Sequence, residues 1–376
     1  MTITKIGNPE IVMHNPDSRH NYFAWPTATR LQNGKIAVVA SGYRLKHVCP
    51  FGKTVISYSE DDGKTYTAPA PVFDTPLDDR DGGIMTFGDK GVIVTAFNNN
   101  RELQNIYLKS EWLRNASSWI KDMEQIDAYT QAYLNTITDE DEEKYLGSLY
   151  RVSNDCGVTF GPIYKCPVSS PHGPCELPDG TILYVGTLFE YAAKKPENVV
   201  EAYAITADGK SEFRGRIEPI FSDDKRLMSY EPHAFALKDG TVICHIRVEY
   251  HDYPNKKHMF TTYQSVSKDG GRTWTKPEAL LGTLGGAPAH IMQHSSGALI
   301  SVYGYRERPC GIKVMISFDE GKTWDIDHEL ATMGNFDIGY PSTVELNDGS
   351  LLTVFYARPD LDGPAIIMQQ KWNFEK

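Results

Sequence analysis

One eight-residue pattern is written four times into the chain: Ser59-x-Asp61-x-Gly63-x-Thr65-Tyr66, Ser153-x-Asp155-x-Gly157-x-Thr159-Phe160, Ser267-x-Asp269-x-Gly271-x-Thr273-Trp274 and Ser317-x-Asp319-x-Gly321-x-Thr323-Trp324. Four matches at five fixed positions exclude coincidence and impose a repeat architecture. The Asp carboxylate and the Ser and Thr hydroxyls accept from nearby backbone N–H groups and close a tight turn. Gly supplies the φ > 0 position such a turn needs. The aromatic that follows is apolar and is driven into the space between neighbouring sheets. The box therefore builds a hairpin, and it points to the fold rather than to the chemistry.

A second element recurs between the boxes: a strand, a Gly-containing turn and an apolar strand. Its turns fall at Gly34, Gly91, Gly180, Gly240, Gly297 and Gly349, spaced by 57, 89, 60, 57 and 52 residues. Asn-Gly and Asp-Gly between apolar runs are strong hairpin signals. Four strands with loops fill such a unit. The spacing predicts an all-β, six-bladed propeller as a single domain over 1–376. The outlying interval marks an insertion in the second blade, about 98–147, whose apolar residues have helical spacing. It reads as one or two helices beside the propeller, with the acidic run Asp139 to Glu143 as an exposed loop. The last blade lacks room for a fourth strand, and the segment from Thr4 to Val12 is expected to supply it and close the ring.

A formal net charge of −11 argues against nucleic acid or an anionic membrane surface as partner. No apolar stretch approaches the roughly 20 residues that span a bilayer, and the N-terminus lacks the apolar core of a signal peptide. Six cysteines, Cys49, Cys156, Cys166, Cys175, Cys244 and Cys310, show no CxxC pair. They read as reduced thiols in a cytoplasmic protein, with no zinc site and no cofactor.

The innermost strand of each blade runs along the axis, so the residues just before each apolar hairpin strand converge at one mouth. They are Phe23-Ala24-Trp25-Pro26, Asp79-Arg80-Asp81, Pro171-His172-Gly173, Tyr230-Glu231-Pro232-His233, Pro288-Ala289-His290 and Gly339-Tyr340-Pro341. The ends of the second strands add Tyr43-Arg44, Arg247 and Tyr305-Arg306. Titratable and aromatic residues at equivalent places in six units are hard to explain by packing. Taken singly, each has a plainer reading: Trp25 as an inter-blade packing residue rather than a stacking platform for a sugar, and each histidine as a satisfied structural donor. As a set, His172, His233 and His290 also admit substrate binding, acid/base work or a divalent metal.

Four such boxes on a six-bladed pattern resemble the sialidase (neuraminidase) superfamily over nearly the whole chain outside the second-blade insertion. The resemblance implies a tyrosine nucleophile, matched by Tyr340 in Gly339-Tyr340-Pro341-Ser342, and an activating glutamate, matched by Glu231 in Tyr230-Glu231-Pro232-His233. Arg247 and Arg306 match two of the family's three carboxylate-clamping arginines. Arg44 and Asp81 match positions that border the far side of the sugar ring. Two departures stand out: Ala24-Trp25 replaces the first clamp arginine, and no carboxylate follows Arg44 where the family places its acid/base aspartate. His47 or Lys46 stands in as proton donor, and His47 has the more suitable pKa.

A tyrosine is a poor nucleophile at its free pKa of about 10, and a neighbouring carboxylate overcomes that. Tyrosine-nucleophile sialidases are an exception to the two-carboxylate rule for glycosidases. The expected function is thus an exo-glycosidase acting on a small acidic oligosaccharide or glycoside by a retaining mechanism. Tyr340, Glu231 and His47 would be catalytic, with Arg247, Arg306, Arg44, Asp81, Trp25, His172, His233 and His290 around the substrate. A lyase on uronate-containing glycans with a His/Tyr pair is the rival, and a non-catalytic glycan-binding propeller the third reading. The sequence leaves the oligomeric state open.

Overall fold

The computed structural model describes residues 1–188, 199–222, 225–252, 257–281 and 286–376. Six antiparallel sheets surround one axis. Blade 1 holds the strands Tyr22–Arg30, Ile36–Arg44, Lys53–Ser59 and Ala70–Phe73; blade 2 holds Arg80–Phe87, Gly91–Phe97, Ser148–Ser153 and Tyr164–Cys166. In blade 3 the inner strand is split into Val168–Ser169 and Cys175–Glu176, both paired with Ile182–Leu188 and followed outward by Val200–Ile205 and Ser211–Ile217. Blade 4 runs Met228–Ala236, Val242–Asp252, Lys257–Ser267 and Glu278–Ala279; blade 5 runs Gly286–Gln293, Leu299–Tyr305, Gly311–Ser317 and Asp325–Thr332. Blade 6 has Gly339–Glu345, Leu351–Ala357 and Ile366–Glu375, and its outermost strand is the N-terminal Thr2–Met13.

The core is a set of wedges between adjacent blades rather than one central mass, because each blade buries both faces against its neighbours. Val38, Val55, Val354 and Ile367 fill the junction of blades 6 and 1. Val39, Ile56, Ile84 and Val94 fill that of blades 1 and 2. The box aromatics drop into these wedges: Tyr66 at the first, Phe160 at the second, Trp274 between blades 3 and 4, and Trp324 between blades 4 and 5. Within a box, Ser59 Oγ donates to Asp61 Oδ1 at 2.8 Å, Thr65 Oγ1 donates to Asp61 Oδ2 at 2.6 Å, and Gly63 N donates to Ser59 Oγ at 2.9 Å. Thr65, through its hydroxyl and then its N–H, and Ser59 hold the Asp61 carboxyl down at about 2. The boxes sit between the third and fourth strands, at the rim.

The second-blade insertion contains four helices: α1 (Arg101–Leu108), α2 (Glu111–Ala116), α3 (Met123–Leu134) and α4 (Asp139–Tyr145). The acidic run expected as a loop is helix α4. Thr138 and Asp141 form a capping box, and the four carboxylates Asp139 to Glu142 occupy the first turn, where the exposed N–H groups favour negative charge. Asn98 closes the neck of the insertion: its Nδ2 donates to the Tyr145 carbonyl at 2.9 Å and its Oδ1 accepts from Gly147 N at 3.0 Å.

Candidate active site

Four side chains reach the axial mouth by the same local device. Trp25, Asp81, Glu231 and Tyr340 all have positive φ, at 55°, 53°, 43° and 49°. Each lies in a bulge where the inner strand slips register against its neighbour. A bulge re-aims a side chain, and left-handed backbone at a non-glycine residue is strain that persists only where the surroundings enforce it. One such residue from each of blades 1, 2, 4 and 6 therefore points into a shared cavity of about 1020 Å³.

Tyr340 and Glu231 are in direct contact. The Tyr340 hydroxyl donates to Glu231 Oε1 at 2.5 Å, although 109 residues separate them. One nitrogen of Arg247 donates to Glu231 Oε2 at 2.5 Å and to the Tyr340 oxygen at 3.1 Å. Arg247 is also ion-paired to Glu249. Burial, and then the negative charge of Glu231, raise the Tyr340 phenol well above its ordinary value, with Arg247 opposing. The phenol is protonated at rest and has a base in contact.

Arg306 lies on the same wall. Its Nε donates to the Ile338 carbonyl at 3.1 Å and an Nη to the Tyr356 hydroxyl at 3.1 Å. Among the described residues no carboxylate is within ion-pair distance of it, so its charge is available to a ligand. Arg80 comes from the opposite side, stacked 4.3 Å from the centroid of Trp25. It sits 3.6 Å from Asp81 and 3.7 Å from Asp78.

His47 lines the cavity beside Trp25, the ring centroids 4.9 Å apart. The Tyr22 hydroxyl is 2.9 Å from His47 Nδ1 and 3.1 Å from Asp337 Oδ2. A hydroxyl has one proton, and the carboxylate can only accept it, so His47 Nδ1–H donates to Tyr22. The imidazole lone pair then sits on Nε2. Burial, joined by Arg80 and Arg44, holds His47 below the ordinary imidazole range in spite of Asp337. Burial pushes Asp337 up, but His47, Arg306 and Tyr22 together keep it below its usual value.

The structure thus brings Tyr340, Glu231, Arg247, Arg306, Asp81, Trp25 and His47 to one cavity. It does not bring the remaining four. Arg44 is fully buried, paired to Asp78 at 2.6 Å and donating to the His47 carbonyl, so it braces the wall from behind and does not border a ligand. His172, His233 and His290 lie deeper along the axis than the bulges, under Tyr340, and line a separate cavity of about 370 Å³. His233 Nδ1 accepts from Ile291 N at 3.0 Å and His290 Nδ1 from Thr343 N at 3.4 Å, which leaves Nε2 of each carrying the proton. Among the described residues no group of three or more His, Cys, Asp or Glu side chains is arranged to hold a metal ion.

Arg80, Asp337 and an aromatic rim escaped the sequence reading. Arg80 had a signal, standing beside Asp81 in a convergent segment. Asp337 lies in an inter-blade loop with no periodic mark. Tyr107 and Trp112 come from the helical insertion, Phe260 from the third strand of blade 4 and Phe336 from the same inter-blade loop as Asp337, where nothing in the repeat foretells them.

Comparison with known proteins agrees with this architecture. A family model described as a BNR repeat-like domain matches residues 148–353, more than half of the chain. No functionally curated sequence matches it. Among solved structures, a protein of unknown function from Dyadobacter fermentans superposes with a TM-score of 0.71 at 18% identity, over 99% of each chain. The NanB sialidase of Streptococcus pneumoniae gives 0.64 at 12% identity, covering 97% of this chain and 70% of that one. The intramolecular trans-sialidase of Ruminococcus gnavus gives 0.60 at 13%, covering 94% and 95%. At such identities the likeness establishes the fold, and the family match carries the membership: the chain belongs to the BNR repeat-like family and is a sialidase-like six-bladed propeller.

Proposed function

We propose that this protein is a retaining exo-glycosidase acting on a small acidic glycan, with Tyr340 as nucleophile and Glu231 as its base. The observation that carries the reading is the 2.5 Å contact between the Tyr340 hydroxyl and Glu231 in a cavity that also holds Arg306, which has no carboxylate partner among the described residues. Attack by the Tyr340 oxygen on the anomeric carbon sends its proton to Glu231, and Arg247 steadies both oxygens as charge redistributes. A nucleophile that is neutral at rest avoids repulsion from a substrate carboxylate, which Arg306 would bind with Arg247 at its side. His47 lines the same cavity beside Trp25. The six cysteines are all unbridged, which supports work in a reducing compartment such as the cytoplasm.

The test is a panel of terminal sialosides and uronate-containing oligosaccharides with product analysis, run on wild type and Tyr340→Phe. Retained anomeric configuration and a loss of at least about 100-fold in kcat for the variant are expected; full activity of Tyr340→Phe would overturn the reading.

One observation favours a second reading. A neutral His47 with its lone pair on Nε2 is a base rather than an acid. Facing Tyr340 across an arginine-neutralised carboxylate, it suits proton abstraction from a uronate, with Tyr340 protonating the leaving oxygen. An ultraviolet-absorbing unsaturated product identifies that lyase chemistry, and a saturated product excludes it.

A further inference from the structure

We infer that Asp81 is the group that protonates the leaving oxygen, filling the place left empty after Arg44. The inference rests on the glycosidase reading above. A retaining cycle needs a cavity-lining group that holds a proton at rest and gives it up as the glycosidic bond breaks. Glu231, Asp337 and His47 line the same cavity. Glu231 accepts from Tyr340 and from Arg247, so it is the base. Asp337 accepts from Tyr22 and faces His47, an ionised arrangement. His47 donates from Nδ1 and has an empty Nε2.

Asp81 differs from all of these. Its bulge turns the side chain into the cavity, and Ser41 Oγ fixes the backbone by accepting from Asp81 N at 2.8 Å. Its Oδ1 is buried with no hydrogen-bond partner among the described residues, and Arg80 Nε stands 3.6 Å off, too far to donate. A buried carboxylate without donors is costly, and adding a proton removes the cost. Asp337, buried on the same cavity wall, has donors in contact and is held below its usual value. The charged groups around Asp81 are Arg80 and Arg44, which favour its anion, and Glu231 and Asp78, which oppose it. Burial outweighs them and pushes the carboxyl up to about 6.

In the first step the Asp81 proton passes to the glycosidic oxygen as its bond to the anomeric carbon breaks. The Tyr340 oxygen bonds to that carbon and its proton moves to Glu231. In the second step water attacks the anomeric carbon and gives a proton to the Asp81 carboxylate. The Tyr340–carbon bond breaks, and Tyr340 recovers its proton from Glu231. No other reactant is needed.

The experiment has two arms. Carbon-13 NMR of aspartate-labelled protein, with Asp81→Asn to assign the signal, follows the carboxyl through pH 3 to 9. A midpoint near 6 is expected, and a midpoint near 4 overturns the inference whether or not any substrate is turned over. The kinetic arm compares sialyllactose with the 4-methylumbelliferyl sialoside, whose leaving group needs little protonation. Asp81→Asn should lose about 100-fold or more in kcat on the first and under about 10-fold on the second. The fall in wild-type kcat/KM above pH about 6 should vanish in the variant. His47→Gln should lose equally on both substrates. Equal losses on both for Asp81→Asn overturn the inference and leave Tyr340 untouched; an active Tyr340→Phe overturns the glycosidase reading instead.

Discussion

At the scale of single residues, the cavity is an arrangement of charges whose partners differ. Arg247 is engaged by Glu231 and Glu249, and Arg80 stands 3.7 Å from Asp78, whereas Arg306 donates only to neutral oxygens among the described residues. Anion capture should therefore fall chiefly on Arg306. Hydrogen bonds to a charged group are worth about 1.5–3 kcal/mol, so Arg306→Ala is expected to raise KM for an acidic glycoside about 10- to 100-fold, with a small change in kcat. A neutral analogue lacking the carboxylate should show no difference between wild type and variant; equal KM changes for both would assign Arg306 to packing. Why Arg306 was legible in the chain and Asp337 was not has a physical basis. Tyr340, Glu231, Arg247 and Arg306 stand at strand positions that the blade repeat multiplies, so the sequence can be aligned with itself. Asp337 acts through Tyr22, 315 residues away, and a contact of that range leaves no local pattern. Arg44 shows the converse: its register was right, but the nearby Asp78 drew the guanidinium into the wall.

At the scale of elements, the helical insertion is structurally tied to the segment that carries His47. Lys46 Nζ pairs with Asp127 of α3 at 2.7 Å, and Phe51 stacks on Tyr129 with ring centroids 4.7 Å apart. Leu45 and Cys49 pack against Ile126, and Trp119 stacks on Tyr22, the partner of His47. The insertion thus fixes one wall of the cavity while adding Tyr107 and Trp112 to its rim. Lys46 is 3% exposed, so Asp127→Ala strands a buried ammonium. A loss of about 2–4 kcal/mol is expected by analogy with broken buried pairs. It should appear as a lowered melting temperature, with faster proteolytic cutting between residues 98 and 147. Asp127 also pairs with the half-exposed Arg114 of α2, which solvent can serve in its absence, so replacing the buried pair, Lys46→Met with Asp127→Leu, should recover much of the stability. If the single variant melts like wild type, the insertion is held by its packing and its other polar contacts, and the buried pair adds nothing. Helical spacing revealed that this segment existed; that it faced the cavity was unreadable, because its partners lie in other blades.

At the scale of the whole molecule, a ring of six blades has one seam, and its strength decides whether the circle stays shut. Here the seam is a strand pairing: Thr2–Met13 runs antiparallel to Ile366–Glu375, from Thr2 opposite Glu375 to Met13 opposite Ile367. The N-terminal strand does more than cover an edge. Val12 and Met13 are buried in the wedge between blades 6 and 1, and Ile3 packs on the wedge between blades 5 and 6 beside Trp372. Lys5 crosses to Glu329 of blade 5 at 3.2 Å, an exposed pair of little energetic weight. The apolar contacts carry the closure. The buried Val12 and Met13 side chains contribute about 3–6 kcal/mol at 1.5–3 kcal/mol each, and loss of the whole strand would also bare the hydrogen-bonding edge of Ile366–Glu375 to other chains. Tyr340 stands on the inner strand of that same sixth blade, three strands in from the seam. Removing residues 1–13 is therefore expected to lower the melting temperature, to cause concentration-dependent association seen by light scattering, and to reduce activity in the fraction that stays monomeric. Val12→Ala with Met13→Ala, which keeps the strand and its ladder, should reproduce the fall in melting temperature without the association. If the truncated chain melts as wild type does, the ring is closed by its inner wedges and the terminal strand merely covers them.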